Sequence, residues 1–178
     1  MSDHFTDRFL DTVTPQPGDP TFSILKTHLL IEDVLRSYLE YIAHNDAPIR
    51  KAKLTFAQTL QIARAFCPNV TQDHWIWKAM GDLNKFRNDL SHNLEPEELA
   101  VKTNEFASNI ITAIGRPIPT SLNSAEYAEY LTKAKEDGRE TYRKFYKIDI
   151  ALVGLYSAVL GVLQFNEQGV PTSALRKA

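Results

Sequence analysis

Apolar residues recur along most of this chain at steps of three and four, the spacing that gathers one face of an α-helix. From about Phe22 to about His44, the residues Leu25, Ile31, Leu35, Tyr38 and Ile42 form one such stripe, and Asn45-Asp46-Ala47-Pro48 ends it. A second helix is predicted from about Thr55 to Phe66, with Phe56, Leu60, Ala63 and Cys67 on one face and Pro68-Asn69 at its end. Thr71 reads as the N-cap of a third, which carries Trp75, Ile76, Met80, Leu83, Phe86 and Leu90 and stops near Asn93, before Glu95-Pro96. Pro96, Glu97 and Glu98 suit the first turn of a fourth helix, which continues through Leu99, Phe106, Ile110 and Ile114 to Gly115. A further helical stretch is expected from about Ala125, with Gly138 as a break, and a last helix from about Arg139 to Phe165.

No strand-like alternation and no internal repeat is found. Long helices joined by short breaks predict an all-α fold, an antiparallel helical bundle of about five to six helices. Three prolines and a glycine within residues 14–20 make 1–20 an arm, so 21–165 is the bundle and 166–178 a polar tail. In the last helix, Ala151, Gly154, Ala158 and Gly161 make one face nearly smooth. Such a face admits a close neighbour, and packing within the chain is favoured over packing across a dimer.

Composition narrows the function classes. At 178 residues the chain is large enough to bury a core without staples. A formal charge of −2 argues against general coating of nucleic acid or of a membrane surface, though a local basic patch remains compatible with it. One cysteine, Cys67, excludes an internal disulfide and any zinc site built from cysteines. Residues 1–10 are polar and acidic and lack a signal peptide's apolar core, and the apolar run 150–163 is too short to span a bilayer, so no membrane association and a cytoplasmic address are expected.

The third helix carries the one constellation that looks like chemistry. On an ideal helix, Ile76, Met80, Leu83 and Leu90 share a sector, and Arg87 falls in it where Leu or Ile is expected. A guanidinium there needs an acidic or backbone partner, or a neighbouring cleft. Asn88 and His92 are one turn apart on another face, about 140° from Arg87 in the case of His92.

The run Arg87-Asn88-Asp89-Leu90-Ser91-His92 resembles the motif of the HEPN superfamily. Its members are helical bundles, commonly dimeric, and many carry Arg, then four to six residues, then His, often with Asn directly after the Arg. The likeness extends over roughly residues 22–114. It is also similar to the mannitol-operon-repressor branch, in its Arg-Asn-x-x-x-His run and in Thr27-His28-Leu29-Leu30-Ile31-Glu32. The resemblance implies a metal-independent endoribonuclease, a toxin or defence component, working as a homodimer on RNA without cofactor. His92 is then the general acid or base, Arg87 stabilises charge on the phosphoryl oxygens, and Asn88 orients His92 or the phosphate. A protein partner such as an antitoxin is a further expectation. Toxin-like members often carry Tyr two residues beyond the His, where this chain has Leu94. The repressor-like branch implies instead a non-catalytic regulator or protein-binding module. A purely structural role stays open as well, in which Arg87 pairs with Glu32 or Asp82 while Asn88 and His92 cap the helix.

Other groups carry weaker signals. His28 and Glu32 stand one turn apart with no second histidine in register, so no metal site is expected there. His74 beside Trp75 and Trp77 reads as a helix start with aromatic anchors. Arg139, Tyr142, Arg143, Lys144 and Lys147 interleave charge with rings as RNA contacts do, but Glu136, Asp137 and Glu140 dilute them, and a solvated helix face is the favoured account.

Overall fold

A computed structural model of the chain describes residues 20–90, 96–115 and 142–165. They form six helices packed on one another, with no strand among the described residues: α1 (Thr21–Ile42), α2 (Ala47–Lys51), α3 (Phe56–Phe66), α4 (Trp75–Leu90), α5 (Pro96–Ile114) and α6 (Tyr142–Leu163). The expected arm, the tail and the helical stretch after Ala125 lie outside the described residues, as do Ser91 to Leu94.

α1 is the central element, packing against α3, α4 and α6. Ile24, Ile31, Leu35 and Tyr38 are fully buried on its inner face. Leu25, expected in that stripe, is 37% exposed, and Ile24 takes its place. At about 100° per residue, Leu25 is six residues from Ile31 and so falls roughly 120° off that face, whereas Ile24, about two turns before Ile31 and three before Leu35, lies on it.

α3 begins where its local chemistry dictates. The Gln58 amide donates to Thr55 Oγ1, and Thr55 N donates back to Gln58 Oε1 at 2.9 Å, a reciprocal cap satisfying two donors that the helix leaves open. Phe56, Leu60, Ala63 and Cys67 are buried as the pattern predicts. α2 was not predicted: it is a five-residue turn with Pro48 near its start and no buried residue, so it leaves no apolar signature. α4 starts at Trp75, three residues later than a Thr71 cap would have it. Thr71 instead uses its carbonyl, which accepts from His74 N at 3.1 Å and from Trp77 Nε1 at 3.1 Å, and residues 72–73 form a turn.

α4 and α5 pack antiparallel. Asp89 near the end of α4 meets Lys102 at 3.0 Å, Phe86 sets its edge against Phe106, and Trp75 at the start of α4 shares a groove with Ala113. α5 and α6 run in the same direction. Lys147 Nζ donates to Asn104 Oδ1 at 3.2 Å and Ser108 Oγ at 2.6 Å, and two turns on Ile114 packs on Gly154. A Cβ on Gly154 would sit 2.5 Å from Ile114 Cδ1, so the smooth face of α6 serves packing within the chain at this point. Gly161, on the same face, is exposed and has nothing within 4 Å of an added Cβ.

At the far end of the bundle the α3–α4 connection is pinned to the last turn of α6. Asn69 Nδ2 donates to the Val162 carbonyl at 2.8 Å, and the buried Cys67 thiol faces the same oxygen at 3.8 Å. No described helix is long and apolar enough to cross a membrane.

Candidate functional site

Arg87 lies in the last turn of α4, and its side chain is exposed, not held in the apolar sector. Ile76, Met80 and Leu83 of that sector are buried, whereas Leu90 is only half-buried, so the helix is leaving the core by the time it reaches Arg87. The two carboxylates that a structural role would assign to Arg87 are engaged elsewhere. Glu32 Oε1 accepts from Arg36 Nη2 at 2.9 Å, and Asp82 Oδ2 accepts from Lys78 Nζ at 2.5 Å. Among the described residues Arg87 makes no ion pair, and its Nη1 donates to Asn88 Oδ1 at 3.1 Å. Asn88 is likewise exposed. His92 lies outside the described residues, so the Arg87-Asn88-His92 arrangement is described only for its first two members.

The structure adds two residues that the motif did not point to. His28 of α1 is 6% exposed, and its Nε2 lies 3.0 Å from Asn84 Oδ1. The amide oxygen can only accept, so Nε2 carries the proton and donates. The ring stacks on Phe56 of α3, with centroids 4.3 Å apart. Asn84 precedes Arg87 by three residues and Asn88 by four, which places all three on neighbouring surface of α4, beside the crossing with α1. His28 is close enough to Arg87 and Glu32 to feel both charges. Burial holds its imidazole below the usual histidine range; the Asn84 hydrogen bond and Glu32 act in the opposite direction, and the Arg87 guanidinium reinforces the lowering. His28 therefore sits neutral in the fold at pH 7.

That contact was invisible in the sequence because its partners are 56 residues apart. The available signal was a histidine one step from Thr27 on the inner side of α1, in a row that must face another helix.

The remaining sequence candidates separate from this site. Lys147 ties α6 to α5 through Asn104 and Ser108, so its ammonium is engaged within the fold. Tyr142, Arg143 and Lys144 open α6, where only the backbone is described, and Arg139 lies outside the described residues. His74 offers its Nδ1 to the Ile76 amide at 3.5 Å, at the limit of a hydrogen bond, and lies beside Trp75, at the helix start. Among the described residues no group of three or more His, Cys, Asp and Glu is placed to hold a metal ion. A shallow groove between α4 and α5, lined by Trp75, Lys78, Asp82, Phe106 and Asn109, belongs to the opposite half of α4 from Arg87.

A second buried polar contact lies on α1, toward α6. Ser23, 1% exposed, lies beside the Asp149 carboxylate and acts on it as a hydrogen-bonding neighbour. Burial pushes the Asp149 carboxyl up to about 6, and the Ser23 hydrogen bond offsets part of that. Asp149 reaches the first turn of α1, which has no side-chain cap and no acidic residue of its own. A carboxylate from α6 there supplies negative charge where the helix dipole favours it.

The chain matches no protein-family model, no curated protein and no solved structure, so its function has to be argued from these residues.

Proposed function

We propose that this protein acts on RNA as a HEPN-like helical dimer, with Arg87, Asn88 and His92 in a cleft shared by two subunits. The observation that supports it is the exposed guanidinium of Arg87, with Glu32 and Asp82 both committed to other cations. A cation with no ion-pair partner among the described residues is available to a phosphate, which guanidinium recognises through two parallel N–H donors. In this reading His92 takes the proton of an RNA 2′-hydroxyl or delivers one to the leaving oxygen. The hydroxyl oxygen attacks the adjacent phosphorus, the bond to the 5′-oxygen breaks, and a cyclic phosphate remains. Arg87 stabilises the charge that develops on the phosphoryl oxygens, and Asn88 holds the phosphate or the imidazole in register. None of these steps calls on a metal.

The test is incubation of the purified full chain with RNA in the presence of a chelator, beside His92→Ala and Arg87→Ala. Cleavage by the parent that falls at least 100-fold or so in both variants supports the enzyme, the size expected for loss of one acid–base or charge-stabilising group. A parent that leaves RNA intact overturns it.

One observation favours a second reading, a non-catalytic regulator or protein-binding module. Leu25 and Leu29, one turn apart on α1, are 37% and 54% exposed beside the His28 crossing, an apolar pair on an outward helix face. Under that reading Leu29→Lys abolishes partner or self-association while the helix content is kept, and RNA is left uncut by every form of the protein.

A further inference from the structure

Among the described residues, two of the four large apolar side chains left exposed belong to one stretch of α1. Leu25 and Leu29 stand one turn apart, whereas Phe66 at the end of α3 and Val101 on α5 each stand alone. At about 100° per residue Phe22 lies on the same outward side. Lys26, one turn on, covers it, with Nζ 5.5 Å from the ring centroid. Beyond Leu29 the face turns to charge, since Asp33 is exposed and Arg36 is paired with Glu32. The apolar stripe is therefore short, and it sits at the very start of α1, directly after Pro20.

The sequence ahead of Pro20 carries a matching stripe. Phe5, Phe9 and Val13 recur at steps of four with Leu10 beside them, and Asp3, Asp7 and Asp11 recur at the same step on the other side. As a helix, Phe5 to Val13 covers about 12 Å, and Phe22 to Leu29 covers about 10 Å, so the two stripes are of similar length. Between them lie residues 14–20, with three prolines and a glycine, a connection of the length that joins neighbouring helices in a bundle. Reversing the chain there brings Val13 to Phe22 and Phe5 to Leu29. It also brings the acidic row level with Lys26, whose ammonium lies on that outward face. We infer that residues 3–13 dock in cis as an amphipathic helix on Phe22, Leu25 and Leu29, covering the outer face of α1. Tethering at Pro20 favours this occupant over a second copy, because a short linker holds the segment at an effective concentration on the order of millimolar. The docking does not draw on the RNA reading, and it competes with the binding-module reading for the same two leucines.

Hydrogen exchange of the full chain, read by mass spectrometry on the peptide spanning 3–13, tests this. The expected result is protection of that peptide in the parent and in Lys51→Gln, a change at the exposed end of α2. Leu29→Lys should lose the protection. Phe9→Asp should lose it too, while α1 and α3 stay protected in both variants as the sign of an intact bundle. Unprotected amides in the parent, or protection that survives Leu29→Lys, overturn the docking. Sedimentation of the same proteins then decides the occupant. The parent and Leu29→Lys should have the same mass, and dilution of the parent should leave the protection unchanged. Protection that falls on dilution, or a mass that drops in Leu29→Lys, puts a second copy on the leucines and overturns docking in cis.

Discussion

Helix α1 meets α6 through Ser23 and Asp149 and meets α4 through His28 and Asn84, and the two contacts differ in what burial does to their charge. Both put a titratable group into the bundle, and in both the uncharged form is favoured by loss of water. For an acid and a base this has opposite consequences for stability. Asp149 titrates at about 6 in the fold against 3.8 in an unfolded chain. The folded form thus holds a proton that the unfolded chain has released, and stability falls as pH rises from about 4 to about 6. His28 is lowered from 6.5, so an unfolded chain takes up its proton first as pH drops. Its contribution is present above pH 6.5 and is lost as pH falls below that value. As pH falls below about 6 the two slopes oppose each other, and the parent protein should show a flatter acid profile than either contact alone would give.

Asp149→Asn should break that balance with the largest effect. It keeps a hydrogen-bonding partner for Ser23 and removes the charge, so stability at pH 7 rises by as much as about 3 kcal/mol, from roughly two pKa units at 1.36 kcal/mol each. Urea unfolding at pH 7 and pH 4 measures it: the gain should shrink at pH 4, where the parent carboxyl is itself neutral. A variant no more stable than the parent at pH 7 would mean that burial does not penalise this carboxylate.

Asn84→Ala should cost about 1–3 kcal/mol at pH 7, because it strands the His28 Nε2 proton in a buried position. The same measurement on Asn84→Asp separates hydrogen bonding from charge, since a carboxylate there should restore the partner and raise the pH at which His28 titrates. His28→Gln isolates the other contact. With the imidazole gone, the melting temperature relative to the parent should improve as pH is lowered below 6.5, because the opposing His28 contribution is absent. A relative melting temperature that does not change with pH would sink the opposition between the two sites.

The smallest effect concerns Tyr38, a third polar group on the buried side of α1. Its hydroxyl is buried without a nitrogen or oxygen partner, facing the Cys67 thiol, and burial pushes the phenol up to about 12. Tyr38→Phe removes an unsatisfied group while keeping the ring, so a gain of about 1 kcal/mol or no change is expected. A loss beyond that would mean the hydroxyl has a partner, the difference from Asp149 and His28 then being one of degree.

Much of the fold was readable from residue spacing because each long helix buries one face, and a buried face repeats. Ile76, Met80 and Leu83, or Phe56, Leu60 and Ala63, need no long-range information to be found. The misplacements have local causes. α2 buries nothing, Thr71 spends its carbonyl rather than its hydroxyl at the start of α4, and Leu25 lost its place to Ile24. Arg87 shows the limit more clearly. Its angular position on the helix was right, but an angle does not say where the core ends, and α4 outruns the core in its last turn. The contact of His28 with Asn84 depends on which helices cross and at what height, and no spacing within either segment encodes that.

The buried thiol at the end of α3 has a practical consequence. Cys67 is the only sulfur nucleophile in the sequence, and it sits where α1, α3 and α6 converge, within reach of Tyr38 and the Val162 carbonyl. Reagent cannot touch it until that junction breathes. The rate at which an alkylating label enters the native protein is therefore a clock for the opening of this one seam, read out without any engineered probe.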